Sequence, residues 1–408
     1  MVTSLAGHFT KPVTTTGVQS IVSGLAWQPR VGLIWTEGGD TLNTLDSTIR
    51  NSFGAVARDS ADVQTQRNVC GVSDNGEAAT DSWRDQSETV AVILLNSAGT
   101  KTVIGDATIT ADGLEIDWTT NDADPVIFHY LLLGGDTSFR DARWVSYTEP
   151  AVTGSQAYTG AGFTPNLAMV LGGGTGGTAN RTRDIGFATA SAQCCLYHQN
   201  FEGGLSFKIR ALYNDRVLQQ SNNNGGVSQK RVAFTSMDAD GCTVNWIDRS
   251  GTIRVHILYM DLDDPFVGGF TKAASATPTN NVTAPGFNPA AVLYLAHCGT
   301  AFNSLITHDE AVIGVSTNDN VEASLMVEVN SANPTVAVMR EHDNAVPYGA
   351  SSPSSGSISN SFIPTHDSSG FDAVWQGSSA NGYVTSYICF GEYEPSASSA
   401  RSSFIFVG

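Results

Sequence analysis

Side chains that could carry out catalysis or bind a metal ion are sparse along this chain. The densest group is His308-Asp309-Glu310, which has the residue types of a metal site or a general base. No matching group recurs at the related positions described below, and the zincin, phosphate-loop and nucleophile-elbow motifs are all missing. We therefore predict no catalytic residue, no metal site and no cofactor.

Three acidic clusters offer the oxygen ligands that calcium prefers. They are Asp122-Ala123-Asp124, Asp238-Ala239-Asp240 and Asp261-Leu262-Asp263-Asp264. None has the full calcium-loop spacing with a terminal glutamate, so we expect solvated turns, with bound calcium as the alternative. A carboxylate pair for glycoside hydrolysis is a further alternative, because that chemistry depends on a separation in space and no pair stands out in sequence.

A glycine-rich stretch, residues 172–177, matches the spacing G-x-G-x-x-G and follows a predicted strand. A dinucleotide site also needs a helix after the glycines, to hold the pyrophosphate at its N-terminus. The following residues predict another strand instead. We expect a flexible loop here.

Composition excludes several classes of protein. The 408 residues carry a net charge of −18, and Arg181 and Arg183 are the densest basic pair, so we expect no nucleic-acid partner. No apolar run approaches the roughly 18 residues of a membrane helix, and residues 1–11 lack a signal pattern, so we expect neither membrane insertion nor a cleaved leader. The six cysteines form no CxxC pair and predict small buried side chains.

The elements that must position these residues are predicted to be strands. Runs rich in β-branched and aromatic residues recur, such as 31–35, 126–133, 252–260 and 383–390, with turn-forming residues nearby. The best helical candidate, residues 42–57, contains Gly54 and several β-branched residues, so it remains doubtful. The sequence predicts an all-β protein.

Three signals recur in the same order and divide the chain into three copies of one module. They are an aromatic-x-Pro sequence before a strand, a glycine-led strand, and a Gly-aliphatic strand that ends in tryptophan. In the third signal, the leading glycine recurs after 128 and then 129 residues, and the tryptophan has the same spacing. The signature residues are Trp27, Pro29, Gly113 and Trp118, then Phe163, Pro165, Gly241 and Trp246, then Phe287, Pro289, Gly370 and Trp375.

This signature has a physical interpretation. The glycine supplies a turn with positive φ, and Leu114, Ile116 and Trp118 then alternate onto one face of a strand. We expect the three tryptophans to pack in the module cores, with a sugar-stacking platform as the alternative. Each repeat of about 128 residues has a natural size for one independently folding domain.

We therefore predict three tandem β-sandwich modules of jelly-roll-like type. Module 1 covers residues 1–135, module 2 covers 136–263 and module 3 covers 264–391. Residues 392–408 form a C-terminal arm. Its apolar end either adds to a sheet edge of a neighbouring chain or folds back on module 3.

The signature resembles a β-module that is repeated in virion surface proteins of tailed bacteriophages, namely tail-fibre, tail-tip and head-decoration proteins. The resemblance covers all three modules, although Ser369 replaces the aspartate of the closing motif in module 3 and Ala26-Trp27 replaces Gly-Phe in module 1. It implies a non-enzymatic particle component in a symmetric complex. No catalytic residue is carried over.

From the resemblance we predict a tail-associated adhesion or receptor-binding component of the virion. We expect it to assemble in the host cytoplasm as a symmetric homo-oligomer, with other virion proteins as partners. Head decoration is the close alternative, because three modules in one chain could mimic a trimer.

Adhesion would use loops displayed by the scaffold, predicted at residues 172–183, 218–226 and 347–361. The predicted binding residues, with a host surface glycan as the possible ligand, are Trp83, Trp144, Arg181, Arg183 and Tyr348. A free carbohydrate-binding protein that uses Trp83 or Trp144 is the alternative from another class. A glycan hydrolase is the third possibility.

Overall fold

A computed structural model describes residues 2–13, 15–44, 46–47, 49–73, 82–135, 137–173, 178–179, 181–200, 209–221, 228–251, 253–273, 277–297, 299–304, 310–329, 336–350, 358–377 and 382–392. These residues form 32 strands and no helix, which confirms the all-β prediction. The strands of the two sheets repeat in the same order in each module.

The strands of module 1 are β1 (Thr3–Thr10), β2 (Gly17–Val22), β3 (Pro29–Thr36), β4 (Asp46–Ser47), β5 (Ile49–Arg58), β6 (Gln64–Ser73), β7 (Ser82–Ser87), β8 (Val92–Leu95), β9 (Lys101–Ile109), β10 (Leu114–Thr120) and β11 (Ile127–Gly134). Those of module 2 are β12 (Phe139–Thr148), β13 (Gly154–Thr159), β14 (Leu167–Gly173), β15 (Thr178–Ala179), β16 (Arg181–Ala188), β17 (Gln193–Asn200), β18 (Ile209–Tyr213), β19 (Leu218–Ser221), β20 (Ser228–Asp238), β21 (Gly241–Asp248) and β22 (Arg254–Leu262). Those of module 3 are β23 (Phe266–Thr271), β24 (Thr279–Val282), β25 (Pro289–Ala296), β26 (Glu310–Thr317), β27 (Val321–Val329), β28 (Val336–His342), β29 (Val346–Ala350), β30 (Ile358–Asp367), β31 (Gly370–Gly377) and β32 (Val384–Glu392).

Each module is a sandwich of one large and one small antiparallel sheet. The large sheets have the orders β1-β11-β3-β5-β6-β7, β12-β22-β14-β16-β17-β18 and β23-β32-β25-β26-β27-β28. The small sheets have the orders β2-β10-β9-β8, β13-β21-β20-β19 and β24-β31-β30-β29. The same strand order in all three units confirms the tandem β-sandwich prediction.

The large sheets also share a core. One continuous hydrophobic cluster contains Leu33, Met169 and Leu293. These residues occupy equivalent positions in β3, β14 and β25, the third strand of each large sheet. Separate clusters fill the three sandwiches between the large and small sheets. The modules therefore differ from the self-contained domains that their size suggests, because each large sheet has an inner face that the other two modules cover.

One segment of each module reaches a neighbouring module and closes the three modules into a ring. We call these segments the arms of the modules; they connect β3 to β5, β14 to β16 and β25 to β26, and they are distinct from the predicted C-terminal arm. The arm of module 2 adds β15 to the edge strand β7 of module 1, and the arm of module 1 adds β4 to the edge strand β28 of module 3. In the arm of module 3, the backbone N–H of Asn303 donates to the carbonyl of Leu212 in β18, at 2.9 Å. Each module thus covers the sheet edge of another, and the architecture has pseudo-threefold symmetry.

The predicted module boundaries fall between strands. β11 ends at Gly134 and β12 begins at Phe139, while β22 ends at Leu262 and β23 begins at Phe266. Glu392, the first residue of the predicted C-terminal arm, is the last residue of β32, and residues 393–408 lie outside the described part of the chain.

Several segments that the sequence predicted as loops are partly strand. β14 continues to Gly173, β16 starts at Arg181, β19 covers Leu218–Ser221, and strands occupy both ends of residues 347–361. The doubtful helix at residues 42–57 is wrong, since β5 occupies most of it. These polar segments are strands because each continues the hydrogen-bonded ladder of a neighbouring strand, and a periodicity argument does not detect that pairing.

Candidate functional site at the module seams

The seams where two modules meet are built from equivalent positions of the repeat. The first and last strands of one module pack on the central strands of another: β1 and β11 on β27, β12 on β5 and β6, and β23 on β17. Strand register identifies three positions that recur in every seam, each with one residue per module. The first strand contributes His8, Ser146 or Gly269, and the last strand places His129, His256 or Ser386 opposite it. The facing module contributes Glu322, Arg67 or Cys194, in the same order.

The seam between modules 1 and 3 holds a buried charged cluster. His129 is fully buried; its Nδ1–H donates to Glu322 at 2.7 Å and its Nε2–H donates to Glu341 at 2.9 Å. His8 lies 3.1 Å from Glu322. Burial alone would lower the pKa of His129, but hydrogen bonds and attraction from the two glutamates outweigh burial and raise the pKa to about 9. The His129 imidazolium therefore joins two carboxylates of another module.

The seam between modules 2 and 1 has a different chemistry at the same place. Arg67 Nε donates to Ser146 Oγ at 2.6 Å, and that hydroxyl lies 2.9 Å from His256 Nδ1, so it donates to the ring nitrogen. Burial, together with the positive charges of Arg67 and Arg254, lowers the pKa of His256 to about 3. His256 is therefore neutral where His129 is charged.

The seam between modules 3 and 2 has no charged group at these positions. A Cβ on Gly269 would lie 2.7 Å from the ring of Phe302, which comes from the arm of module 3. Burial raises the pKa of the Cys194 thiol to about 12, so the thiol stays protonated. This seam is therefore closed by small and apolar groups.

These differences make each seam specific for its own pair of modules. If the last strand of module 1 packed where that of module 2 packs, His129 would face Arg67, a second cation. If the last strand of module 3 packed where that of module 1 packs, Ser386 would face Glu322, and this carboxylate would lose its buried counter-ion. An uncompensated buried charge is strongly destabilising. The chemistry of the site is thus recognition between modules of one chain.

Two predicted binding residues are buried, so the prediction that they are displayed is wrong. Trp144 is 2% exposed, and its indole N–H donates to the carbonyl of Ala55 at 3.0 Å across a seam. Arg183 is also 2% exposed and forms an ion pair of 2.7 Å with Glu37 of module 1. Both residues lie in strands of a large sheet, which face another module.

The other predicted binding residues are less constrained. Trp83 is half-buried in β7, and its ring contacts the turn at Gly99. Arg181 begins β16 and Tyr348 lies in β29, but their side chains lie outside the described part of the structure. Ala179, two residues before Arg181, pairs with Trp83, whereas Tyr348 lies in a strand of module 3.

The signature residues hold the sandwich cores. Trp118, Trp246 and Trp375 are at most 1% exposed, which supports core packing and excludes a stacking platform. Each indole N–H donates to a side chain of the adjacent edge strand, namely Gln19, Tyr158 and Asn280. The aromatic residues Trp27, Phe163 and Phe287 pack against the same cores, and Pro29 and Pro289 begin their strands while Pro165 lies two residues before β14.

The positive φ predicted for the signature glycines is confirmed at two of the three positions, and all three share a further requirement. A Cβ on Gly113, Gly241 or Gly370 would lie about 2 Å from a backbone carbonyl of the neighbouring edge strand, at 1.9, 2.0 and 1.9 Å. Gly241 and Gly370 also have positive φ, whereas Gly113 does not. The common requirement is therefore close approach of two strands.

The acidic clusters keep exposed carboxylates, as expected for solvated turns, and these carboxylates are also partnered within the fold. Asp122 and Asp124 contact Arg50 at 2.5 and 3.0 Å, and Asp261 and Asp263 contact Arg140 at 2.5 Å each. Asp240 accepts hydrogen bonds from backbone N–H groups at 2.6 and 3.1 Å. Within the described ranges, no group of three or more His, Cys, Asp or Glu side chains could hold a metal ion.

Some predictions fall at the edge of what the structure describes. His308 and Asp309 lie outside the described residues, as does Cys298. The other five cysteines are free and buried, which confirms the prediction for them. Sequence reasoning missed Glu322, Glu341 and Arg67 as seam residues, because their partners are far apart in sequence and no local motif marks them.

Comparisons with known proteins add no relative: no family model and no curated protein matches the chain. In the part of the chain that the structure describes, there is no helix with the length and hydropathy needed to cross a membrane.

Proposed function

We propose that this protein is a non-enzymatic surface component of a tailed-phage virion, and that it decorates the head at a site of threefold symmetry. The observation that carries the proposal is the closed ring of three modules around one shared core. A site of threefold symmetry presents three equivalent surfaces, so a partner with matching symmetry can make the same contact three times. A single chain with pseudo-threefold symmetry offers the same match without needing three copies.

The resemblance of the signature residues supports the virion assignment. The burial of Trp144 and Arg183 removes two of the groups on which tail adhesion was predicted to depend. Head decoration is therefore the better-supported position. Tail-associated adhesion is the second candidate, and the pocket described in the next subsection favours it.

The seams suit a particle component. Two seams contain buried ion pairs, and each module adds an arm to the sheet edge of another, so we expect the ring to behave as one rigid body. We propose that other virion proteins are its partners, and that the ring contacts them through one end of its pseudo-threefold axis.

Immunogold electron microscopy tests the assignment. Antibody to the purified chain is applied to particles from a lysate that contains the protein, with pre-immune serum as the control. Gold on heads supports decoration, and gold on tails supports adhesion. Gold only on material separate from particles overturns the virion proposal.

The enzymatic alternative has its own test. The purified protein is incubated with a panel of bacterial surface polysaccharides, and reducing ends are measured over time. We expect no release above a heat-denatured control. Steady release of sugar would contradict the non-enzymatic proposal.

A further inference from the structure

An open pocket of about 710 Å³ lies where the arm of module 1 meets module 3. Its described lining comes from the arm, from the end of β28 and from the small sheet of module 3. Asn43 is held in place on the arm side. It has a left-handed φ of 60°, its backbone N–H donates to the carbonyl of Glu341 at 2.7 Å, and its Nδ2–H donates to Asp343 at 2.9 Å.

Module 2 shows why a pocket opens in module 3. Strand register makes Tyr213 the equivalent of His342 and Leu218 the equivalent of Val346, so the segment that contains Arg216 is one residue longer in module 2 than its counterpart in module 3. In module 2 the guanidinium of Arg216 lies 4.0 Å above the Tyr213 ring and pairs with Asp215 at 2.7 Å. A stack of two large side chains fills that place in module 2. Module 3 has the smaller His342 there and a shorter segment without an arginine, which leaves the place open.

The lining has the chemistry of a neutral sugar site. Three carboxamides line it, those of Asn43, Asn344 and Gln376, and each can offer both a donor and an acceptor to hydroxyl groups. Ile363 and Ala345 add an apolar wall for the C–H face of a ring. No described lining residue is acidic, lysine or arginine, and His342 is the one titratable side chain among the described lining residues, so the lining favours a neutral ligand. The volume is in the range of small-molecule sites.

We propose that this pocket binds a neutral carbohydrate of one to three sugar units. This inference does not rest on the virion assignment, since the pocket exists whatever particle carries the protein. It also differs from the sequence prediction, which placed a glycan at Trp83 and Trp144. Here the recognition comes from amides at a seam, and Trp144 takes no part.

The experiment is a binding screen with the full chain against neutral and acidic oligosaccharides, followed by isothermal titration calorimetry with the best neutral probe. We expect saturable binding of at least one neutral probe. Ala345→Arg, which places a large side chain in the lining, should weaken binding at least tenfold. Asn344→Ala and Gln376→Ala should each weaken it several-fold, and these small changes keep the test valid if Ala345→Arg fails to fold.

Thr119→Ala is the matched control, because Thr119 follows Trp118 in module 1 as Gln376 follows Trp375 in module 3. This control should bind like the wild type, and circular dichroism should show native folding for every variant. Absence of binding to all neutral probes at millimolar concentration overturns the proposal. Preference for acidic probes, or unchanged affinity in Asn344→Ala and Gln376→Ala, overturns it as well. Immunogold labelling is unaffected by these outcomes, so failure here and failure of the virion assignment are distinguishable.

Discussion

His129 and His256 occupy equivalent positions of the repeat, but His129 is positively charged and His256 is neutral. The difference comes from the facing module, which presents Glu322 to His129 but Arg67 to His256. Carboxylates stabilise the imidazolium and an arginine opposes it, so the same residue type supports two different seams. The charge state of a buried histidine is thus decided by a residue that is far away in sequence.

This assignment predicts how stability changes with pH. Because the folded pKa of His129 is raised to about 9, its stabilising contribution is fully present below pH 6.5 and is lost as the pH rises through 9. The shift corresponds to roughly 3 kcal/mol of unfolding free energy. His129→Gln should be less stable at pH 7 and should lack this alkaline loss. Denaturant unfolding at pH 6.5, 8 and 10 measures both effects.

His256→Gln is the matched control for that experiment. The pKa of His256 is lowered to about 3, so its contribution is lost as the pH falls below 6.5 and the alkaline side is unaffected. His256→Gln should therefore keep the alkaline loss. An unchanged alkaline slope in His129→Gln would show that His129 is not the responsible group.

A second residue-scale prediction concerns Gly113. Its Cβ would lie 1.9 Å from the carbonyl oxygen of Val22, so Gly113→Ala must push β2 and β10 apart. We expect a loss of about 2–3 kcal/mol in unfolding free energy. Gly154→Ala, at φ +119° with open space around the Cβ, tests backbone strain alone and should cost about 1 kcal/mol. Equal losses in the two variants would reject close approach as the cause.

At the scale of elements, the arms explain why the ring is closed. Asn43 and Asn303 both have φ of 60°, and each donates its backbone N–H to the edge strand of the neighbouring module. Asn303 also donates its side-chain amide to Asn214, as Asn43 does to Asp343. Asparagine tolerates the left-handed conformation better than other non-glycine residues. One residue type therefore makes the same contact twice.

This equivalence gives a reciprocal prediction. Asn43→Ala should destabilise the arm of module 1 by about 1–2 kcal/mol, through backbone strain and the lost hydrogen bond. Amide exchange should then accelerate in β28 and stay unchanged in β18. Asn303→Ala should do the reverse, which makes each variant the control for the other. Acceleration in both strands from a single variant would contradict local action of the arms.

Elements with a local signature could be predicted from sequence, and contacts between distant elements could not. The run from Leu114 to Trp118 alternates between buried and partly or fully exposed, as its period of two predicts. The tryptophans and the aromatic-x-Pro sequences also mark the sandwich cores, because they too are patterns of residues close together in sequence. The seams depend on pairs such as His129 with Glu341, 212 residues apart, and on arms whose residues are polar and irregular. Polar residues in such arms look like ordinary loops until their partner strand is known.

At the scale of the molecule, we expect folding to depend on the order of the modules around the ring axis more than on which module comes first in the chain. The links between modules are short and lie at the same end of equivalent strands. Val2 contacts Gly391 in the corresponding place between modules 3 and 1, where a Cβ on Gly391 would lie 2.2 Å from Val2 Cγ2. All three junctions are therefore structurally alike, although only two are covalent.

A circular permutant tests this view of the molecule. The permutant joins Glu392 to Val2 by a few glycine and serine residues, which leaves out residues 393–408, and opens the chain between Gly135 and Thr137. It keeps every described strand and seam and the arms that connect the modules. We expect it to fold, with a melting temperature within a few degrees of the wild type. A second permutant, opened after Asn43, cuts the arm that covers β28 and should be clearly less stable. If the junction permutant fails to fold while the arm permutant folds normally, covalent order rather than seam chemistry determines the ring.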